Sequence, residues 1–211
     1  PDRPNDSIDM VLFVNGIPVV TVELKNALTS QRASHAVHQY KADRDPGAPI
    51  FRFKQRSLVH FALGADEAWM TTRLARGGTV FLPFNRGNGT AAGNPAVEGK
   101  HRTSYLWEEV LQRDSLLEIV ARFVHLQKKD KERPDGSTKV VETMIFPRYH
   151  QLRAVRRLVE TARQKGAGTN FLVQHSAGSG KSNSIAWLAH RLASLHDEQD
   201  RKVYDGVVVL T

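Results

Sequence analysis

The chain has 211 residues, 40% apolar and 25% charged, which is the usage of a soluble globular protein and excludes a disordered chain. No run approaches the ~20 apolar residues that cross a bilayer, and Pro1 to Asn5 carries neither a basic nor an apolar leader pattern, so a cytoplasmic protein with no membrane partner is expected. The absence of cysteine leaves only carboxylate, carbonyl and imidazole to hold a metal, which favours a hard ion such as Mg2+, while the net charge of +8 suits a polyanionic partner or simply a solvated basic surface.

In chain order, Ser7 to Val14 reads as a strand, Asn15-Gly16 as a type I′ turn and Ile17 to Leu24 as a second strand, together a β-hairpin. Ser30 is placed to cap a helix through Ala33, Ala36, Val37 and Tyr40, which Asp45-Pro46-Gly47 stops. Further β-like runs follow at 50–53, 58–63, 69–73 and 79–83. Asn85 to Gly99, rich in glycine, is expected to be a weakly ordered loop. Residues 105–113 and 116–124 have helical apolar spacing, whereas the polar stretch 128–139, with Pro134-Asp135-Gly136, reads as an exposed turn or linker. Pro147 opens a helix that ends at Gly166. A short strand at Phe171 to Val173, a loop at Gly178 to Ser182, a helix from Ser182 to Leu195 and a strand at Val207 to Leu210 complete the pattern.

The sharpest motif is Gln174-His175-Ser176-Ala177-Gly178-Ser179-Gly180-Lys181-Ser182, set between a predicted strand and a predicted helix as a phosphate-binding loop requires. Gly178 and Gly180 let backbone N–H groups approach phosphate oxygens, and the helix N-terminus adds a favourable dipole. Lys181 would reach the β- and γ-phosphates of ATP and the Ser182 hydroxyl would take Mg2+. His175 stands where the strict pattern has its first glycine. In this looser form the loop resembles that of superfamily 2 helicases and translocases. That resemblance makes Gln151, one helix upstream, a candidate for reading the adenine edge, with a solvated helical glutamine as the plain alternative.

A second constellation lies in the hairpin. Glu23 and Lys25 are two apart on one strand and so share a face. An ideal two-residue turn sets Asp9 opposite Val22, so bringing Asp9 to that face needs a one-residue bulge, for which Pro18 is a plausible cause. Two carboxylates can hold Mg2+, polarising a phosphodiester and activating water, while the lysine positions that water or neutralises developing charge. The arrangement resembles the Asp…Glu-x-Lys site of PD-(D/E)xK nucleases. The bland alternative is a solvent-facing salt bridge, weakened by the apolar runs on either side, where charge is costly. His35 and His38, one helical turn apart, lack an evident third ligand and read as ordinary surface histidines.

Asn5 to Pro18, followed by Val22-Glu23-Leu24-Lys25-Asn26, closely resembles the N-terminal nuclease domain of type I restriction enzyme R subunits. That family continues with a Tyr-His-Gln segment and a Gly-Ser-Gly-Lys loop, matched here by Tyr149-His150-Gln151 and Gly178 to Ser182. The resemblance implies a restriction-endonuclease-like mixed α/β sheet with flanking helices over residues 1–126, a linker or hairpin at 127–145, and the beginning of a RecA-like P-loop domain at 146–211. It implies that Asp9 and Glu23 are the metal-binding catalytic carboxylates and Lys25 the catalytic lysine. The family's Gln-x-x-x-Tyr motif is matched by Gln39, but Asp43 stands where its tyrosine should be and Tyr40 is next to the glutamine.

The same resemblance implies an ATP-driven translocase that pulls double-stranded DNA and cuts it with Mg2+. It would work with modification and specificity subunits, and S-adenosylmethionine would act only through the assembled complex. The sequence stops at Leu210-Thr211 before any Asp-Glu motor motif, so a fragment unable to hydrolyse ATP productively is expected. Two other readings compete. One is a helicase-like ATPase with a non-catalytic, nucleic-acid-binding front domain, and the other is an adaptor in which both sites have degraded. The presence of Asp9, Glu23, Lys25, Lys181 and Ser182 argues against the adaptor.

Overall fold

A computed structural model describes residues 7–26, 28, 30–89 and 91–210. The chain divides into two compact units, Pro1–Phe146 and Pro147–Thr211.

The first unit is built on a five-stranded mixed sheet in the order β1-β2-β3-β4-β5, comprising β1 (Met10–Val14), β2 (Ile17–Leu24), β3 (Val59–Leu63), β4 (Ala68–Thr71) and β5 (Leu82–Pro83). Asn15 and Gly16 have φ of 49° and 79°, the pair of positive values that a type I′ turn needs to join β1 to β2. Only β2 and β3 run parallel, and parallel neighbours require a crossover, which α1 (Ala33–Ala42) supplies. The all-buried β3 is covered on both faces. On one face Ala62 packs with Ala36, Tyr40, Phe51 and Leu74. On the other, the Phe61 ring lies 5.1 Å from Phe84 and 6.0 Å from Phe146, each edge to face.

A short π-helix at Leu106–Val110 and α2 (Arg113–Arg122) follow, burying Leu106, Val110, Leu116 and Ile119. The charged stretch, read from its residues as a turn or linker and from the family resemblance as a linker or hairpin, lies in a regular hairpin, β6 (His125–Glu132) and β7 (Thr138–Ile145), paired over its whole length. Its charges sit on a two-stranded ribbon outside the core, so no apolar alternation marks it. Lys54 reaches Glu142 and the Thr72 hydroxyl donates to the Met144 carbonyl, tying the ribbon to the rest of the first unit.

Several local expectations are corrected. Ser7 and Ile8 precede the first strand, which starts at Met10. Helix α1 is capped at Arg32, not Ser30: the His35 ring accepts the Arg32 N–H at 3.0 Å. Residues 50–53 turn, with the Ala48 carbonyl accepting from the Phe51 and Arg52 amides. Their apolar content serves packing, since Phe51 sets its ring edge-on to Tyr40. The runs at 69–73 and 79–83 shorten to β4 and β5. The glycine-rich loop is irregular, as expected, but tied down: Asn94 is buried, accepts the Arg86 N–H, and donates to the Asp66 carbonyl and Asn85.

The second unit holds α3 (Tyr149–Lys165) packed on α4 (Lys181–Ala193). Helix α3 buries Tyr149, Leu152, Val155, Val159 and Ala162, a stripe at helical spacing, and stops at Gly166 with φ of 70°. The strands expected at 171–173 and 207–210 do not form. Leu172 and Leu210 are more than nine-tenths exposed, and neither run has a ladder partner among the described residues. A strand signal specifies only half of a pairing.

Among the described residues, no helix is long and apolar enough to cross a membrane.

Candidate functional site

The hairpin positions the carboxylates. Val14 pairs with Ile17 and Phe13 with Pro18, but Leu12 pairs with Val20, leaving Val19 as the extra residue of a bulge. Pro18 has no N–H to give to a ladder, which favours the irregularity there. Beyond the bulge Met10 faces Val22, so Asp9 comes to the level of Glu23. Asp9 Oδ2 accepts the Leu24 N–H at 2.7 Å, which fixes the aspartate against β2. The two carboxylates differ sharply in environment: Asp9 is exposed, whereas Glu23 is completely buried. Lys25, half-buried, lies two residues past Glu23, and its N–H extends the parallel pairing by donating to the Leu63 carbonyl at 2.8 Å.

Below Glu23 lies a polar network that sequence reasoning missed. Arg44 donates from Nε to Glu23 Oε1 at 2.8 Å, its Nη2 lies 2.6 Å from the same oxygen as an ion-pair contact, and Nη2 donates to the Ser7 carbonyl. Glu23 Oε2 is buried without a hydrogen-bond partner. Thr21, on the same face of β2, bonds through its hydroxyl to Tyr40 Oη at 2.8 Å and to His60 Nδ1 at 2.7 Å. Burial pushes the Glu23 carboxyl up to about 7, against the opposing pull of Arg44, and neighbouring Asp9 raises it further. Burial also holds the Tyr40 phenol far above its ordinary value and lowers His60 to about 3, so both are neutral at physiological pH.

The helix that follows β2 thus sends Tyr40 and Arg44, four residues apart, toward the carboxylate face. Gln39 is half-buried beside them and Asp43 is exposed. The detectable signal was the i, i+4 spacing of Tyr40 and Arg44, hidden because Arg44 lies just past the last helical residue.

In the second unit Gly178 and Gly180 have φ of 71° and 82°, and Gly180 caps α4. A Cβ at Gly180 would lie 2.5 Å from Gln151 Nε2, so a side chain there would displace the Gln151 amide besides straining the backbone at a φ of 82°. Gln151 is buried and committed at both ends: Oε1 accepts the Arg148 N–H, and Nε2 donates to the Gly180 carbonyl at 2.8 Å. His150 bonds the Ser179 carbonyl and stacks edge-on to His175, with centroids 4.9 Å apart. Lys181 Nζ folds back onto the His175 and Ser176 carbonyls at 3.3 and 3.0 Å, and Ser182 is exposed on the first turn of α4. Loop and helix are present as expected, without the flanking strand.

A mixed sheet with flanking helices fits a nuclease-like domain. Residues 2–79 match the family model described as the type I restriction enzyme R protein N terminus. The chain is also 25% identical over 198 residues to the type I restriction enzyme HindI endonuclease subunit of Haemophilus influenzae, covering 87% of this chain and 17% of that protein. It is 24% identical over 218 residues to a Methanocaldococcus jannaschii protein provisionally named the type I restriction enzyme MjaVIIIP endonuclease subunit, covering 96% of this chain and 18% of that one. The chain therefore spans less than a fifth of the length of these curated relatives. No solved structure matches it significantly.

Proposed function

We propose that this chain carries the nuclease site and the opening of the ATP-driven motor of a type I restriction enzyme R subunit, which translocates double-stranded DNA and cuts it in a magnesium-dependent reaction alongside modification and specificity subunits. The observation that carries this reading is the bulge that brings Asp9 level with Glu23 while Glu23 Oε2 remains buried and unbonded.

The donors fit a hard divalent cation. A buried carboxylate oxygen without a partner is costly unless something positive meets it, and Asp9 adds a second oxygen donor at the solvent edge. Magnesium keeps several waters and takes one or two carboxylates, a number that Asp9 and Glu23 supply. When bound, the ion supplies Lewis-acid polarisation of the phosphodiester and a more acidic water. The protein's own contribution is positional. Glu23 on β2 and Asp9 just ahead of β1 hold their oxygens at matching height, and the Lys25 ammonium, two residues past Glu23, offsets charge that builds on the phosphate. In the second unit the Gly178–Ser182 turn and the start of α4 would receive ATP, with Lys181 on the phosphates, Ser182 on their magnesium and Gln151 bracing the turn beneath the adenine side.

The test uses the full-length subunit, wild type and Lys25→Ala, assembled with its partner subunits on unmethylated circular DNA bearing a recognition site, with Mg2+ and ATP. The expected result is ATP consumption by both and linearisation only by the wild type. A Lys25→Ala complex that cuts as well as the wild type removes the nuclease assignment.

A further inference from the structure

We propose that Arg44 is a positioning residue for the divalent cation: it grips one oxygen of Glu23 and thereby presents the other, and it ties the strand of Glu23 to the segment that delivers Asp9. This rests on the reading of Asp9 and Glu23 as metal-binding carboxylates.

The contacts on the guanidinium are asymmetric in an informative way. A carboxylate meeting an arginine in the open usually takes it side by side, one nitrogen on each oxygen. Here both nitrogens converge on Oε1, at 2.8 and 2.6 Å, and Oε2 is left without a partner in a site where Glu23 has no solvent exposure. Nη2 also meets the carbonyl of Ser7, two residues before Asp9. One planar group, itself 6% exposed, therefore spans the two chain segments that carry the two carboxylates. Its placement comes from the end of α1, where the Arg44 N–H closes the helix on the Gln39 carbonyl at 3.2 Å. A lysine at this position keeps the charge but presents one nitrogen, so it cannot place separate nitrogens on Glu23 Oε1 and the Ser7 carbonyl.

The probe is Mn2+ alone, standing in for magnesium, with free Mn2+ read by electron paramagnetic resonance on the full chain without nucleotide. Asp9→Asn defines the part of the binding that belongs to the carboxylate pair. Arg44→Lys is expected to weaken that part about tenfold. Tyr40→Phe, which loosens the same network without touching Arg44, is expected to bind Mn2+ as the wild type does. Thermal melting accompanies each titration, and Arg44→Met, which leaves Glu23 buried without a counter-charge, is expected to melt earlier than the wild type and to gain more from added Mn2+. Equal Mn2+ binding by wild type and Arg44→Lys overturns the proposal and leaves the carboxylate site standing. An equal loss in Tyr40→Phe also overturns it, since the effect is then general loosening. If the wild type binds no more Mn2+ than Asp9→Asn, the metal site itself is lost, and the role of Arg44 with it.

Discussion

Glu23 ties the stability of the first unit to pH in a direction opposite to that of most carboxylates. Its carboxyl is raised from 4.5 to about 7 in the folded chain, so between those values the native state holds a proton that the unfolded state has released. By linkage, stability then falls as pH rises from about 4.5 through about 7 and is flat above. The shift corresponds to roughly 3 kcal/mol at about 1.4 kcal/mol per unit. His60 acts in the opposite sense: its lowered value means that its contribution is lost as pH falls from about 6.5 toward 3. The two slopes overlap, so the clean quantity is the difference between wild type and Glu23→Gln, in which the His60 contribution cancels. Urea unfolding with a chelator present, in a Trp187→Phe background so that Trp69 and Trp107 report on the first unit, gives that difference at each pH. It should shrink by roughly 3 kcal/mol between pH 4 and pH 8. Parallel curves for the two proteins would refute the reasoning, because a solvated Glu23 has no such slope. With saturating Mg2+ the wild-type curve should flatten, since a cation on Oε2 favours the ionised form.

Other perturbations have equally definite outcomes. Gly180→Ala places a methyl 2.5 Å from Gln151 Nε2 at a φ of 82°, so binding of a fluorescent ATP analogue should weaken at least about tenfold while the first unit's melting is unchanged. Gly16→Ala meets nothing within 4 Å and suffers only from its φ of 79°, which should cost about 1 kcal/mol in urea unfolding. Asn94→Ala removes bonds to Arg86, Asp66 and Asn85, and should destabilise the unit by about 1–3 kcal/mol and speed proteolysis within residues 85–99.

Those features that are short-range in the chain were legible in the amino-acid order. Asn15-Gly16 announced the turn, and Pro18 together with the spacing of Asp9 and Glu23 implied the bulge that the structure contains. The grip of Arg44 on Glu23 was not legible, because it joins residues 21 apart across a helix whose stop signal seemed to close the matter at Asp45. The Gln-x-x-x-Tyr comparison drew attention to Gln39 and Asp43, whereas the turn of the helix carries Tyr40 to the sheet. Apolar runs at 171–173 and 207–210 were read as strands from composition alone, and pairing is a property of two segments. The amide of Gln151, an adenine-contact candidate by resemblance, braces Gly180, a contact that sequence spacing does not reveal.

The charged ribbon of β6 and β7 has one more consequence. Among the described residues each of its eight-residue strands pairs only with the other, so both outer edges offer a row of backbone donors and acceptors to any passing chain. An apolar ribbon of that length would seed aggregation. Lys128, Lys129, Lys131 and Glu132 along β6, and Pro134 at the tip, make the edge a poor template, since a docking strand would have to desolvate charges. The same polarity that hides the strands' alternation opposes edge-to-edge pairing, and replacing those lysines with valine should increase self-association on concentration.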